Sequence, residues 1–186
     1  MTFSARYLDE TIAILGELNT ADIDHIAGEI SRVRQADGRL FIIGVGGSSA
    51  TASHAVNDFR KLCHIEAYAP TDNVAELTAR TNDDGWDSTF VEWLRTSKID
   101  HNDGLLVLSV GGGGQRVSIN VVKAVEYAKL RLATVLGIVG RDGGYTASRA
   151  NACLVIPPLY KDRITPHTEG LASVVCHMLV SHPALA

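Results

Sequence analysis

Residues 41–59, "FIIGVGGSSATASHAVNDF", change character twice. Phe41 to Val45 form an apolar run without a charge. Gly46, Gly47, Ser48 and Ser49 interrupt it. Beyond them Ala52, Ala55, Val56 and Phe59 recur at intervals of three and four. A short, uniformly apolar run predicts a strand buried on both faces, and the second spacing predicts a helix. Strand, glycine–serine turn and helix in that order are the building unit of a parallel sheet.

The same alternation continues in both directions. "RLFIIGV" (39–45) is the first strand, "IEAYA" (65–69) a weaker one, then "GLLVLSV" (104–110), "ATVLGIV" (133–139) and "ACLVIP" (152–157). Helical patterns fall near 49–62, 73–80, 86–96, 118–130 and 166–181. The expected class is α/β: a three-layer αβα sandwich on a five-stranded parallel sheet. Residues 1–36 add a helical N-terminal segment in two pieces. Leu8, Ile12, Leu15 and Leu18 mark the first. Ile23, Ile26, Ile30 and Val33 mark the second, with Thr20 or Asp22 as its cap and Asp37–Gly38 as its stop. Residues 1–186 read as one domain, long enough to bury a sizeable core.

Composition narrows the class of function. The chain is 46% apolar and 20% charged, with 17 Lys and Arg against 21 Asp and Glu, a formal charge of −4. No basic stripe points to nucleic acid. Cys63, Cys153 and Cys176 are scattered and odd in number, which fits reduced thiols in a cytoplasm. The opening "MTFSARYLDE" lacks a signal-peptide hydrophobic region, and no apolar run is long enough to span a membrane. A cytoplasmic protein with no membrane partner is expected.

In parallel sheets, ligands bind beyond the carboxyl ends of the strands, and the glycine-rich stretches lie there. Gly46, Gly47 and Ser48 stand ahead of one helix. Ser109, the glycines 111–114 (Gly111 and Gly112 first) and Ser118 stand ahead of another. Unpaired amides and a helix N-terminus favour an anion such as phosphate. A nucleotide cofactor is not expected. "GVGGSS" lacks the third glycine of a dinucleotide fingerprint, and no glycine–lysine–serine/threonine string occurs.

His54 and Asp58 are four residues apart on one helical face. In "ITPHTEGLASVVCHMLVSH", Thr165 and Pro166 suit a helix start, with Glu169 in the first turn and His177 eight residues on. Such a separation spans about 12 Å along a helix, so a point shared by both needs extended side chains or two subunits. Two imidazoles and two carboxylates are also a set suited to zinc. His167 stands near the proposed site, and His182 reads as packing. From the residues alone, packing and chemistry both stay open for His54, Asp58, Glu169 and His177.

From about Arg39 onward the chain resembles the sugar isomerase (SIS) domain family, and within it the phosphoheptose isomerase group. The marks are "GVGGSSATASHAVND", "NDDGW" (82–86), the Ser109–Ser118 loop, "GRDGG", and "TE" followed by His177. The resemblance implies Asp58 and His177 as the acid/base pair. It implies zinc held by His54, Asp58, Glu169 and His177 in some members. It implies phosphate on Ser48, Ser109 and Ser118, and sugar on Asp83 and Glu169. A phosphorylated sugar as substrate and a homotetramer with sites between subunits come with it, residues 1–36 serving the interface. Three positions depart from the family pattern: Val45 for asparagine, Asp58 for glutamate and Glu169 for glutamine. The expected reaction converts sedoheptulose 7-phosphate to an aldoheptose 7-phosphate. A non-catalytic phosphosugar- or protein-binding relative, and an isomerase of another phosphosugar, are the two other readings.

Overall fold

A computed structural model describes residues 1–185. Five strands form one parallel sheet: β1 (Leu40–Gly44), β2 (Ala67–Tyr68), β3 (Gly104–Ser109), β4 (Thr134–Val139) and β5 (Ala152–Val155). Their order is β2-β1-β3-β4-β5. The chain therefore leaves β1 in one direction and returns to its other side at β3. Leu40 pairs with Gly104 and Gly44 with Leu108. The crevice between the ends of β1 and β3 is the switch point where such sheets bind ligands.

Among the described residues eight α-helices cover the sheet: α1 (Phe3–Gly16), α2 (Thr20–Gln35), α3 (Gly47–Cys63), α4 (Val74–Asp83), α5 (Thr89–Thr96), α6 (Ile119–Leu130), α7 (Gly144–Arg149) and α8 (Ile164–Val180). Alternate strand residues face opposite layers. Leu40, Ile42, Leu106, Leu108, Leu136 and Ile138 pack with α1, α2, α3 and α8. Phe41, Ile43, Leu105, Val107 and Val135 pack with α5 and α6. Burying one such side chain contributes about 1.5–3 kcal/mol, so two filled faces hold the expected three layers. Far from the ligand end, buried Asp103 accepts from the Arg39 backbone N–H at 2.8 Å and its guanidinium at 2.7 Å. That pair ties the starts of β1 and β3 together.

Local details differ from expectation. The expected strand at 65–69 shrinks to two paired residues. Asn19, rather than Thr20 or Asp22, caps α2, its side chain accepting from the Ala21 N–H at 3.2 Å. α8 begins at Ile164, so Thr165 and Pro166 lie inside its first turn, and Arg163 flanks it without a side-chain cap. Helix α7 was not expected, because it runs for only six residues and begins at Gly144, the last glycine of the "GRDGG" turn. On α1, Leu8, Ile12 and Leu15 face solvent, while Glu10 and Ile14 turn inward.

Candidate active site

The loops after β1, β3, β4 and β5 enclose a cavity of about 1560 Å³ at the switch point. Ser48, Ser109, Gly111, Ser118 and Glu169 line it. Ser48 is the second residue of α3, whose start has no side-chain cap. Ser118 flanks α6 in the left-handed region, φ 55°, and its side chain makes no cap bond to its own helix. Its hydroxyl and the amides of Ile119 and Asn120 are thus left for a ligand. The Ser109 hydroxyl accepts from the Gly112 N–H at 3.1 Å, curling the glycine loop back over β3. Gly46 and Gly47 form the turn beneath Ser48, and Gly112 sits behind the loop rather than on the cavity wall.

Glu169 reaches into this cavity from α8. A Cβ on Gly47 would lie 2.5 Å from the Glu169 Oε2, so the missing side chain makes room for the carboxylate. The positive end of α3 faces that negative charge.

The titratable trio lies elsewhere on the same two helices. Asp58 Oδ2 is 3.3 Å from His54 Nε2 and 3.5 Å from His177 Nδ1. The two imidazoles meet edge to face, centroids 5.0 Å apart. Both are a little over half exposed, whereas Asp58 is 15% exposed. Helices α3 and α8 pack side by side, which brings the Asp58 and His177 turns level. Cys176 precedes His177 but points into the core, where burial pushes its thiol up to about 12. Buried there, it is not part of the group formed by His54, Asp58 and His177.

His54, Asp58 and His177 each offer a donor atom within 4.8 Å of the other two. Zinc bonds of about 2.0–2.2 Å in a tetrahedron put ligand atoms roughly 3.3–3.6 Å apart. The two Asp58 contacts fall in that range, so two imidazoles and a carboxylate suit an open three-ligand zinc site. Glu169 does not join the trio, since it is held over Gly47.

The cavity and the trio are thus separate within one chain. From Ser48 to Asp58 the helix rises about 15 Å. Asp83 also lies away from the cavity, at the exposed end of α4, where its carboxylate accepts from Asn82 at 2.7 Å. Apolar side chains surround the trio: Leu62 one turn beyond Asp58, Val174 one turn before His177, and Met178 beside it, all exposed.

One buried cluster escapes a reading of the sequence. Glu10 of α1 is 4% exposed and accepts two bonds from Arg163, each 2.7 Å. His167 Nε2 stands 3.1 Å from the same carboxylate, and Tyr7 stacks on the imidazole at 4.4 Å. The guanidinium bonds pull Glu10 from its ordinary 4.5 down to about 2, and His167 adds to the effect. His167 therefore anchors α1 to the start of α8 and does not line the cavity. The only sequence signal is a glutamate on the inward side of an apolar helix.

Comparison with known proteins agrees with this architecture. The SIS domain model matches residues 6–140. A phosphoheptose isomerase of Chlorobium phaeobacteroides is 34% identical, covering 98% of this chain and 76% of the relative. One from Rhodospirillum rubrum is 30% identical, covering 84% and 81%. The structure of phosphoheptose isomerase from Neisseria gonorrhoeae superposes with a TM-score of 0.84 at 26% identity, covering 96% of each chain. The chain belongs to the SIS domain family and, within it, to the phosphoheptose isomerase group.

Proposed function

We propose that the protein is a phosphosugar aldose–ketose isomerase that converts sedoheptulose 7-phosphate to an aldoheptose 7-phosphate. The observation that carries this reading is the meeting of Asp58 and His177, 3.5 Å apart, on a chain with a hydroxyl- and amide-lined cavity at the sheet's switch point. Phosphate binds on Ser48, Ser109, Gly111 and Ser118, remote from the reacting carbons. It supplies orientation without taking part in bond changes.

Isomerisation then needs one base and one acid. Asp58 removes the proton from the carbon beside the carbonyl, and the carbon–hydrogen electrons form the double bond of an enediol. His177 delivers a proton to the carbonyl oxygen. Return of the carbon-bound proton to the neighbouring carbon, with loss of the other hydroxyl proton, completes the transfer. General acid–base help of this kind supplies roughly 10²–10⁴ in rate. His54 contacts the same Asp58 oxygen as His177 and orients the carboxylate. Zinc bound by His54, Asp58 and His177 would polarise the sugar carbonyl.

The separation of cavity and trio is resolved by a second subunit. In the homotetramer we propose, the trio of one subunit faces sugar held partly by another. The exposed Leu62, Val174 and Met178 around the trio support this, as apolar side chains that an interface would bury. Residues 1–36 place Ile14, Ile23, Ile26 and Ile30 in the core and offer Leu8, Ile12 and Leu15 to such contacts.

The test is incubation of the purified protein with sedoheptulose 7-phosphate and detection of an aldoheptose phosphate. Product formation is expected. A protein that binds the sugar phosphate and returns it unchanged would be a non-catalytic binder instead. The Glu169 carboxylate inside the cavity favours one second reading, an isomerase of a different ketose phosphate. Turnover of other ketose phosphates in preference to the heptulose would establish it.

A further inference from the structure

We infer that Thr146 is a positioning residue, which clamps the glycine loop 111–114 in its phosphate-binding shape. The inference rests on the proposed reading of that loop as the phosphate cradle.

Four consecutive glycines have more backbone freedom to lose than any other four residues. Between Ser109 and Ser118 the only other side chains are Val110, Gln115, Arg116 and Val117, so beyond the Gly112 N–H to the Ser109 hydroxyl and the Gly114 N–H to the Val117 carbonyl the loop brings little of its own to hold it. Its shape is imposed from the start of α7. The Thr146 N–H donates to the Gly112 carbonyl at 2.9 Å, and the Thr146 hydroxyl donates to the same oxygen at 2.7 Å. The Tyr145 N–H donates to the Gly113 carbonyl at 3.0 Å. Thr146 is completely buried, so no water competes for these bonds.

The two segments also approach too closely for side chains. A Cβ on Gly112 would fall on the Gly143 carbonyl oxygen, and a Cβ on Gly144 would fall on that of Gly111. Gly112 has φ 65° and Gly113 φ 83°. With the Gly112 and Gly113 carbonyls both engaged by α7, neither oxygen is free to swing toward the ligand. Gly111, Gly113 and Gly114 line the cavity, and two carbonyl dipoles that would repel phosphate there are tied down by these bonds. The "GRDGG" turn thereby acquires a role, because it brings Thr146 to the loop.

The hydroxyl and the methyl of Thr146 do different work. The methyl packs against Gly137 of β4, where a Cβ would lie 2.8 Å from it. Thr146→Val keeps the packing and removes the hydroxyl bond. Thr146→Ser keeps the bond and removes the methyl. Titration calorimetry with inorganic phosphate on wild type and both variants separates the two, with thermal melting as a check that each is folded. Loss of one hydrogen bond of about 1 kcal/mol corresponds to roughly fivefold in affinity. Thr146→Val is expected to bind phosphate about fivefold more weakly, and Thr146→Ser close to wild type. With a sugar phosphate that is turned over, KM should rise in Thr146→Val while kcat stays within about twofold. Equal weakening in both variants, unchanged affinity in Thr146→Val, or no phosphate binding by wild type overturns the inference. The phosphate pattern without any turnover of sedoheptulose 7-phosphate supports the clamp and counts against the proposed reaction.

Discussion

Single residues set what the site can do, and some of them are legible in the amino-acid order alone. His54 and Asp58 stand out because four-residue spacing puts two titratable groups on one face. Glu169 is legible as a candidate, but its place against Gly47 is not. The space above Gly47 that receives it depends on how α8 crosses the start of α3. Glu10 is not legible, since a glutamate in an N-terminal helix is ordinarily solvated. Its burial between Arg163 and His167 gives a pH signature. A carboxyl lowered from 4.5 to about 2 adds stability above its unfolded value, and that stability is lost as pH falls through the window between the two. Thermal melts of wild type and Glu10→Gln should differ by a constant amount above about pH 5 and converge between about pH 4.5 and 2. A gap that persists unchanged at pH 2 would show that charge on Glu10 is not the stabilising feature.

At the scale of elements, the strands are legible because burial on both faces leaves uniformly apolar runs, as in Ile42 and Ile43 or Leu105 to Leu108. β2 is faint because an edge strand of two residues has little to bury. Helix α7 is invisible because glycines at its start read as a turn. The α3–α8 pairing is beyond sequence reading, yet it decides the site. Only side-by-side packing makes the His54–Asp58 turn level with His177, and only their different heights leave Glu169 apart. Of the four ligands expected for zinc, only His54, Asp58 and His177 come together as a candidate metal group, drawn from these two helices. Wild-type protein dialysed against zinc should retain about one equivalent per chain, and His54→Ala much less. Equal retention by the two would place the metal elsewhere.

The whole molecule presents more apolar surface than its core requires. Leu8, Ile12 and Leu15 form a stripe on α1 that turns away from the sheet, although their spacing would serve packing equally well. Which way the stripe points depends on Glu10 docking against Arg163, a contact with no counterpart in sequence periodicity. We propose that the stripe meets other copies of the chain. Sedimentation of wild type should give a tetramer, and Ile12→Glu a smaller species with unchanged circular dichroism. An unaltered assembly in that variant would free α1 from the interface. The proposed reaction stands or falls on the trio that such an assembly would bring to the sugar. Its most direct test is the rate of aldoheptose phosphate formation from sedoheptulose 7-phosphate by wild type, Asp58→Asn and His177→Ala. Each variant is predicted to fall by roughly 10²–10⁴. Wild-type rates in both would contradict the assignment of Asp58 and His177 as the groups that move the proton.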